Sequence, residues 1–174
     1  MQNNKPQRLN FFNGRLLSVA DLKLEQNYHI NKRRLHNRHL HGWGVVEGLE
    51  VSAKGNKVIV APGFAIDCAG NEIVLDSNVE IVIAHDAHEF FVAVEYSESE
   101  IDPIPALSGD EVPVRYAHIQ EEAKVYLMDA NPNMKHEKYA PGSSGCGKLH
   151  PIAIAHLHQA GKGWKLVRCG LRGG

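Results

Sequence analysis

The stretch WGVVEGLEVSAKGNKVIVAPGFAIDCAGNEIVL, residues 43–75, decides the fold. Its apolar residues come in short Val- and Ile-rich runs, cut by Lys54-Gly55-Asn56, Pro62-Gly63 and Ala69-Gly70-Asn71. Each interruption is turn chemistry, because Gly and Asn tolerate positive φ and Pro cannot donate to a ladder. Strands are predicted at 45–51, 57–61, 64–68 and 72–75, and the same texture continues at 79–83 and 90–96. Strand after strand at this spacing makes the chain mainly β, with an antiparallel β-sandwich or barrel as its architecture.

Further on, 101–114 carries Pro103, Pro105, Gly109 and Pro113 and reads as a long irregular connection. A strand is expected at 123–128, then a second long loop over 129–148, the natural place for an interaction surface or a mobile flap. Runs at 151–157 and 164–167 form a closing hairpin, and 171–174 reads as a tail.

Upstream, the aromatic segment 9–15 ends at Asn13-Gly14, a turn signal. Ser18 followed by Asp21 matches a capping box, so one N-terminal α-helix should begin at Val19, run to about Leu40 and stop at Gly42. Its apolar positions, Val19, Leu22, Leu24, Tyr28, Ile30, Leu35 and Leu40, form only a broken helical stripe. Such a helix is expected to meet another subunit or long polar side chains along part of its length. The organisation is an arm and helix over 1–42 and a β domain over 43–174, folding as one unit.

With 19 Lys and Arg against 20 Asp and Glu, the net charge of −1 offers no field for nucleic acid or an anionic membrane. No apolar run approaches the roughly 18 residues of a membrane span, so no membrane insertion is expected. The first residues lack the apolar core of a signal peptide. Three cysteines, Cys68, Cys146 and Cys169, are odd in number and irregular in spacing, against a disulfide framework and for synthesis in a reducing cytoplasm.

Several motifs invite chemistry. Residues 142–148 have P-loop spacing, but Leu149 stands where Mg²⁺ needs a hydroxyl and Pro151 blocks the following helix. His29, His36, His39 and His41 gather at the helix end, where His36 and His39, three apart, could approach one ion. His150, His156 and His158 could join a cysteine in three dimensions, although no Cys-x-x-Cys or His-x-x-x-His pair supports it. These histidines read first as polar structure and no metal is assigned; the candidate ligands, should one bind, are His36, His39, His41 and Cys68. Lys32, Arg33, Arg34 and Arg38 form a basic patch without the aromatic interleaving of a nucleic-acid groove, and a solvated or inter-subunit salt-bridging face is the better reading. Cys146 near His150 in a Gly-rich loop is thin grounds for a thiolate pair, and no nucleophile elbow or paired carboxylate stands out. An enzyme is not expected, and no cofactor.

The segments Phe12-Asn13-Gly14-Arg15-Leu16-Leu17 and His36-Asn37-Arg38-His39-Leu40-His41-Gly42-Trp43-Gly44-Val45-Val46-Glu47-Gly48-Leu49-Glu50-Val51 resemble a module of bacterial and phage proteins. The likeness continues through 60–67 and 70–74, and 151–155 is similar to β-sandwich units of tail fibres. In that family the module looks like part of phage-tail or contractile-injection machinery, at baseplates or fibre anchors. The resemblance implies a structural or adaptor subunit assembled into a particle, partnered by its own copies and neighbouring subunits. Contacts are expected at Tyr28, Arg33, Arg34, Arg38 and Trp43. A carbohydrate- or receptor-binding module using 129–148 is the alternative, with a metal-binding domain at the helix end as another.

Overall fold

The computed structural model describes residues 5–84, 87–105, 114–133, 141–161 and 163–170. The middle parts of both long connections and the expected tail lie outside these residues.

Helix α1 spans Val19–His36 and runs into a π turn, Asn37–His41. The predicted capping box starts it: Asp21 N–H donates to Ser18 Oγ (3.1 Å), and Ser18 N–H donates back to Asp21 Oδ2 (3.0 Å). Bonds from the Ser18 side chain and backbone, with Arg15 beyond, pull the Asp21 carboxyl from its ordinary 3.8 to about 2. The contribution of that carboxylate is therefore complete above 3.8 and fades as pH falls through about 2. Ser18→Ala should cost about 1 kcal/mol, read as a lower urea midpoint, whereas Ser18→Thr should keep most of the cap.

Ten strands follow among the described residues: β1 Gly44–Gly48, β2 Val51–Lys54, β3 Lys57–Val60, β4 Gly63–Ile66, β5 Glu72–Leu75, β6 Val79–Val82, β7 Glu89–Ile104, β8 Arg115–Met128, β9 Ile152–Ala160 and β10 Gly163–Arg168. They form three antiparallel sheets, ordered β1-β4-β5, β2-β3-β6 and β10-β9-β7-β8. The chain is mainly β behind one helix, as expected, but no barrel closes.

The run expected as one strand over 45–51 is two. Between β1 and β2 the chain turns at Leu49, whose φ is 52° although its side chain is fully buried. Opposite it, β3 and β4 break at Ala61-Pro62, and the ladder is bridged there by Leu49 N–H to Pro62 O (3.0 Å) and Ala61 N–H to Glu50 O (2.9 Å). Both strands of this hairpin thus bend together and pass from one sheet into the next, a sandwich corner.

The second departure is β7. Residues 101–104, read as irregular because of their prolines, are strand, and so is the first half of β8. The reason is lateral: β9 pairs with β7 only from Glu89 to Val94, so the later part of β7 has β8 on one side alone. Pro103, opposite Tyr116, removes no bond from a third strand, and a proline is tolerated on such an edge. The β7–β8 pair therefore continues as a two-stranded ribbon, its inward alternation ending at Tyr96.

The core joins all three sheets. Trp43, Leu49, Val58, Val60, Ile73, Val92, Val94, Ile152, Ile154 and Leu157 are all essentially excluded from water. No residue of α1 is buried to that degree.

A candidate assembly site around the helix end

The site is built where α1 stops. Gly42 N–H donates to Asn37 O (2.8 Å), a five-residue span that widens the last turn. That turn brings His41 Nε2 within 3.3 Å of His36 Nε2. It also drives Asn37 inward, where its amide donates to Gly70 O (3.0 Å) and Glu72 Oε1 (3.1 Å). Arg34 Nε donates to Asn71 Oδ1, and its guanidinium faces Glu98 at 3.6 Å. Arg33 lies 3.8 Å from both Glu72 and Glu121, tying the helix loosely to the ribbon. Ion pairs this long and half-exposed are worth about 0–1 kcal/mol each; the buried Asn37 amide carries more of the attachment.

Two loops receive the helix end. In 67–71, Asp67 is buried and its carboxylate accepts from Asn71 N–H and Asn71 Nδ2, both at 2.8 Å. Burial pushes the Asp67 carboxyl up despite those bonds. Gly70 has φ of +90°, and a Cβ there would sit 2.2 Å from Arg34 O, so only glycine lets loop and helix touch. The second loop, 141–148, meets the other side: Trp43 N–H donates to Ser143 O (3.0 Å), Gly142 N–H to Trp43 O (2.7 Å), and Arg38 Nε to Ser144 O (3.4 Å).

Clamped by one helix end, the two loops bring Cys68, Cys146 and His150 together, with donor atoms all within 4.8 Å of one another. Burial, with the Cys146 thiol alongside, pushes the Cys68 thiol up to about 12. Among the described residues no other group of three such side chains could hold an ion. The candidate ligands His36, His39, His41 and Cys68 are not gathered as one set. His36 meets His41 rather than His39, because the π turn brings residues five apart together, and Cys68 belongs to the other cluster. His156 and His158 stay on β9, where His156 stacks on Phe91 at 4.3 Å between ring centroids and reaches Glu89 at 2.7 Å.

The expected contact residues are placed unevenly. Tyr28 is half-buried, edge-on to His29, with Lys32 Nζ 5.8 Å from its ring centroid. Arg33 is exposed, Arg34 and Arg38 turn to partners within the chain, and Trp43, 2% exposed, belongs to the core. Large apolar side chains are exposed along the arm and α1, at Phe11, Phe12, Leu16, Val19 and Leu22, and also on the strands, at Val74, Val82 and Ile119. The broken stripe of the sequence signalled Val19 and Leu22, but nothing in it marked Phe11, Phe12 and Leu16.

This architecture has counterparts among solved structures. One is a chain of the type VI secretion system TssK–TssF–TssG baseplate subcomplex, at 11% identity and a TM-score of 0.54 over 94% of this chain and 60% of that one. The chain resembles a secretion baseplate structure in fold. Another is the crystal structure of TssK, at 12% identity and a TM-score of 0.50 over 94% of this chain and 41% of that one. At such identity the likeness concerns the fold alone, and this chain spans less than two thirds of each of these counterparts. No protein-family model and no curated protein matches the sequence. No helix among the described residues is long and apolar enough to cross a membrane.

Proposed function

We propose that this chain is a structural, non-enzymatic subunit of a baseplate-like particle of the contractile-injection or phage-tail kind, joined to its own copies or to neighbouring subunits through the arm and α1. One observation carries the reading. Leu16 is 90% exposed, Val19 68%, Phe12 63% and Phe11 60%, on one continuous stretch of chain, while α1 buries no residue of its own. A row of large apolar side chains left in water is the usual mark of a surface completed by another protein. The fold shared with type VI baseplate structures supports the same reading.

The test is the mass of the protein in solution. A discrete oligomer is expected, and Phe12→Asp with Leu16→Asp and Leu22→Asp should reduce it to monomer while leaving the circular dichroism and urea midpoint close to the parent's. A parent that is monomeric and does not co-sediment with any tail-like particle would remove the reading.

A further inference from the structure

Buried cysteines commonly act only as small apolar side chains. Three features of the cluster beneath the helix end go further. First, Cys146 Sγ and His150 Nε2 stand 3.2 Å apart, and with Cys68 Sγ all three donor atoms fall within 4.8 Å. Thiolate and imidazole ligands on one tetrahedral zinc ion, with Zn–S of about 2.3 Å and Zn–N of about 2.0 Å, lie roughly 3.5–3.8 Å from one another. The cluster needs only small shifts to meet that geometry.

Second, the ring of His150 is already oriented. Its Nδ1 lies 3.3 Å from Pro151 O, which can only accept, an arrangement that favours the tautomer with the proton on Nδ1. In the neutral ring the Nε2 lone pair then points at Cys146. A backbone carbonyl behind a histidine ligand is a common way to fix the tautomer that a metal requires.

Third, the surroundings are shaped for close approach. Gly145 has φ of +66°, and a Cβ there would lie 2.7 Å from Cys68 Sγ. Gly147, at φ of +78°, leaves room for the Arg38 guanidinium, which a Cβ would meet at 2.8 Å. Arg38 in turn donates to Ser144 O, holding in place the loop that carries Cys146.

We propose that Cys68, Cys146 and His150 bind one Zn²⁺ ion through both sulfurs and His150 Nε2, and that the ion fastens loop 141–148 to loop 67–71. Two sulfurs and one imidazole are soft enough to favour zinc over magnesium or calcium. The three residues fill three tetrahedral positions, and water or another donor takes the fourth. Binding displaces the thiol protons and adds stability to the folded chain alone. This inference stands apart from the assembly reading: a monomer could carry the ion, and a metal-free oligomer would refute the ion only.

The experiment is elemental analysis and zinc X-ray absorption on untagged protein equilibrated with a zinc buffer, beside its mass in solution. About one zinc per chain is expected, with two sulfur neighbours near 2.3 Å and lighter neighbours near 2.0 Å. Cys146→Ser and His150→Gln should each take the content below roughly a tenth per chain, whereas Cys169→Ser should leave it unchanged. Absorption on the parent protein needs no variant to fold. A parent without stoichiometric zinc, zinc surrounded by nitrogen and oxygen only, or a Cys68–Cys146 disulfide whose reduction fails to restore uptake would overturn the proposal.

Discussion

Gly42→Ala is expected to cost about 3–5 kcal/mol, from backbone strain and overpacking together. Gly42 closes the π turn with φ of 68° and ψ of −174°, a region open essentially to glycine alone. A Cβ there would also lie 2.1 Å from Gly142 O and 2.6 Å from Ser143 O, both rigid backbone atoms. Relief requires loop 141–148 to retreat, which breaks the bonds between Trp43 and Ser143 and between Gly142 and Trp43. Gly55→Ala is the matched comparison: its φ is +62°, but nothing lies within 4 Å of the new methyl. It should cost only about 1–2 kcal/mol. Urea unfolding of the two variants, compared at unchanged m-value, measures the difference. Equal losses would mean that the close approach of loop and helix end is not made.

Trp43→Ala should be of similar size, about 3–5 kcal/mol, because the indole is 2% exposed in the shared core of the sheets. Trp43→Phe should lose less. The mode of failure matters as much as the size. A contact residue at a subunit boundary would, when truncated, release monomers with an unchanged unfolding curve; Trp43→Ala should instead lower the unfolding midpoint whatever the state of assembly. The pair Gly42 and Trp43 is adjacent, so their costs should not add.

The contrast shows where sequence reasoning reaches. Ser18 and Asp21 are three residues apart and make their bonds locally, so the helix start was readable. Most strands were readable for the same reason, each being framed by its own Gly, Pro or Asn. The bend at Leu49 was not, since a buried leucine within an alternating run gives no local sign of φ 52°, and its cause is a break in the partner strand at Pro62. Pro103 misled because its tolerance depends on a third strand that stops short. Trp43, an aromatic flanked by glycines at the end of a basic helix, read as a contact residue and lies in the core. In the site, the spacing of Cys146 and His150 was visible, but Cys68 reaches them only through folding, as does Asn37 to Gly70.

The clamp around the helix end also orders events in time. Asn37 closes on Gly70, but Arg38 and Trp43 close on Ser143 and Ser144, about a hundred positions later in the chain. During synthesis from the N-terminus, the helix end has only half of its receptor until the segment 141–148 has been made. Contacts of such sequence separation slow folding, because the loop they close must first be brought together from the open chain. Until then residues 5–41, which also carry the apolar arm, are held by the nascent domain on one side only, and their proper attachment falls among the last steps of its maturation.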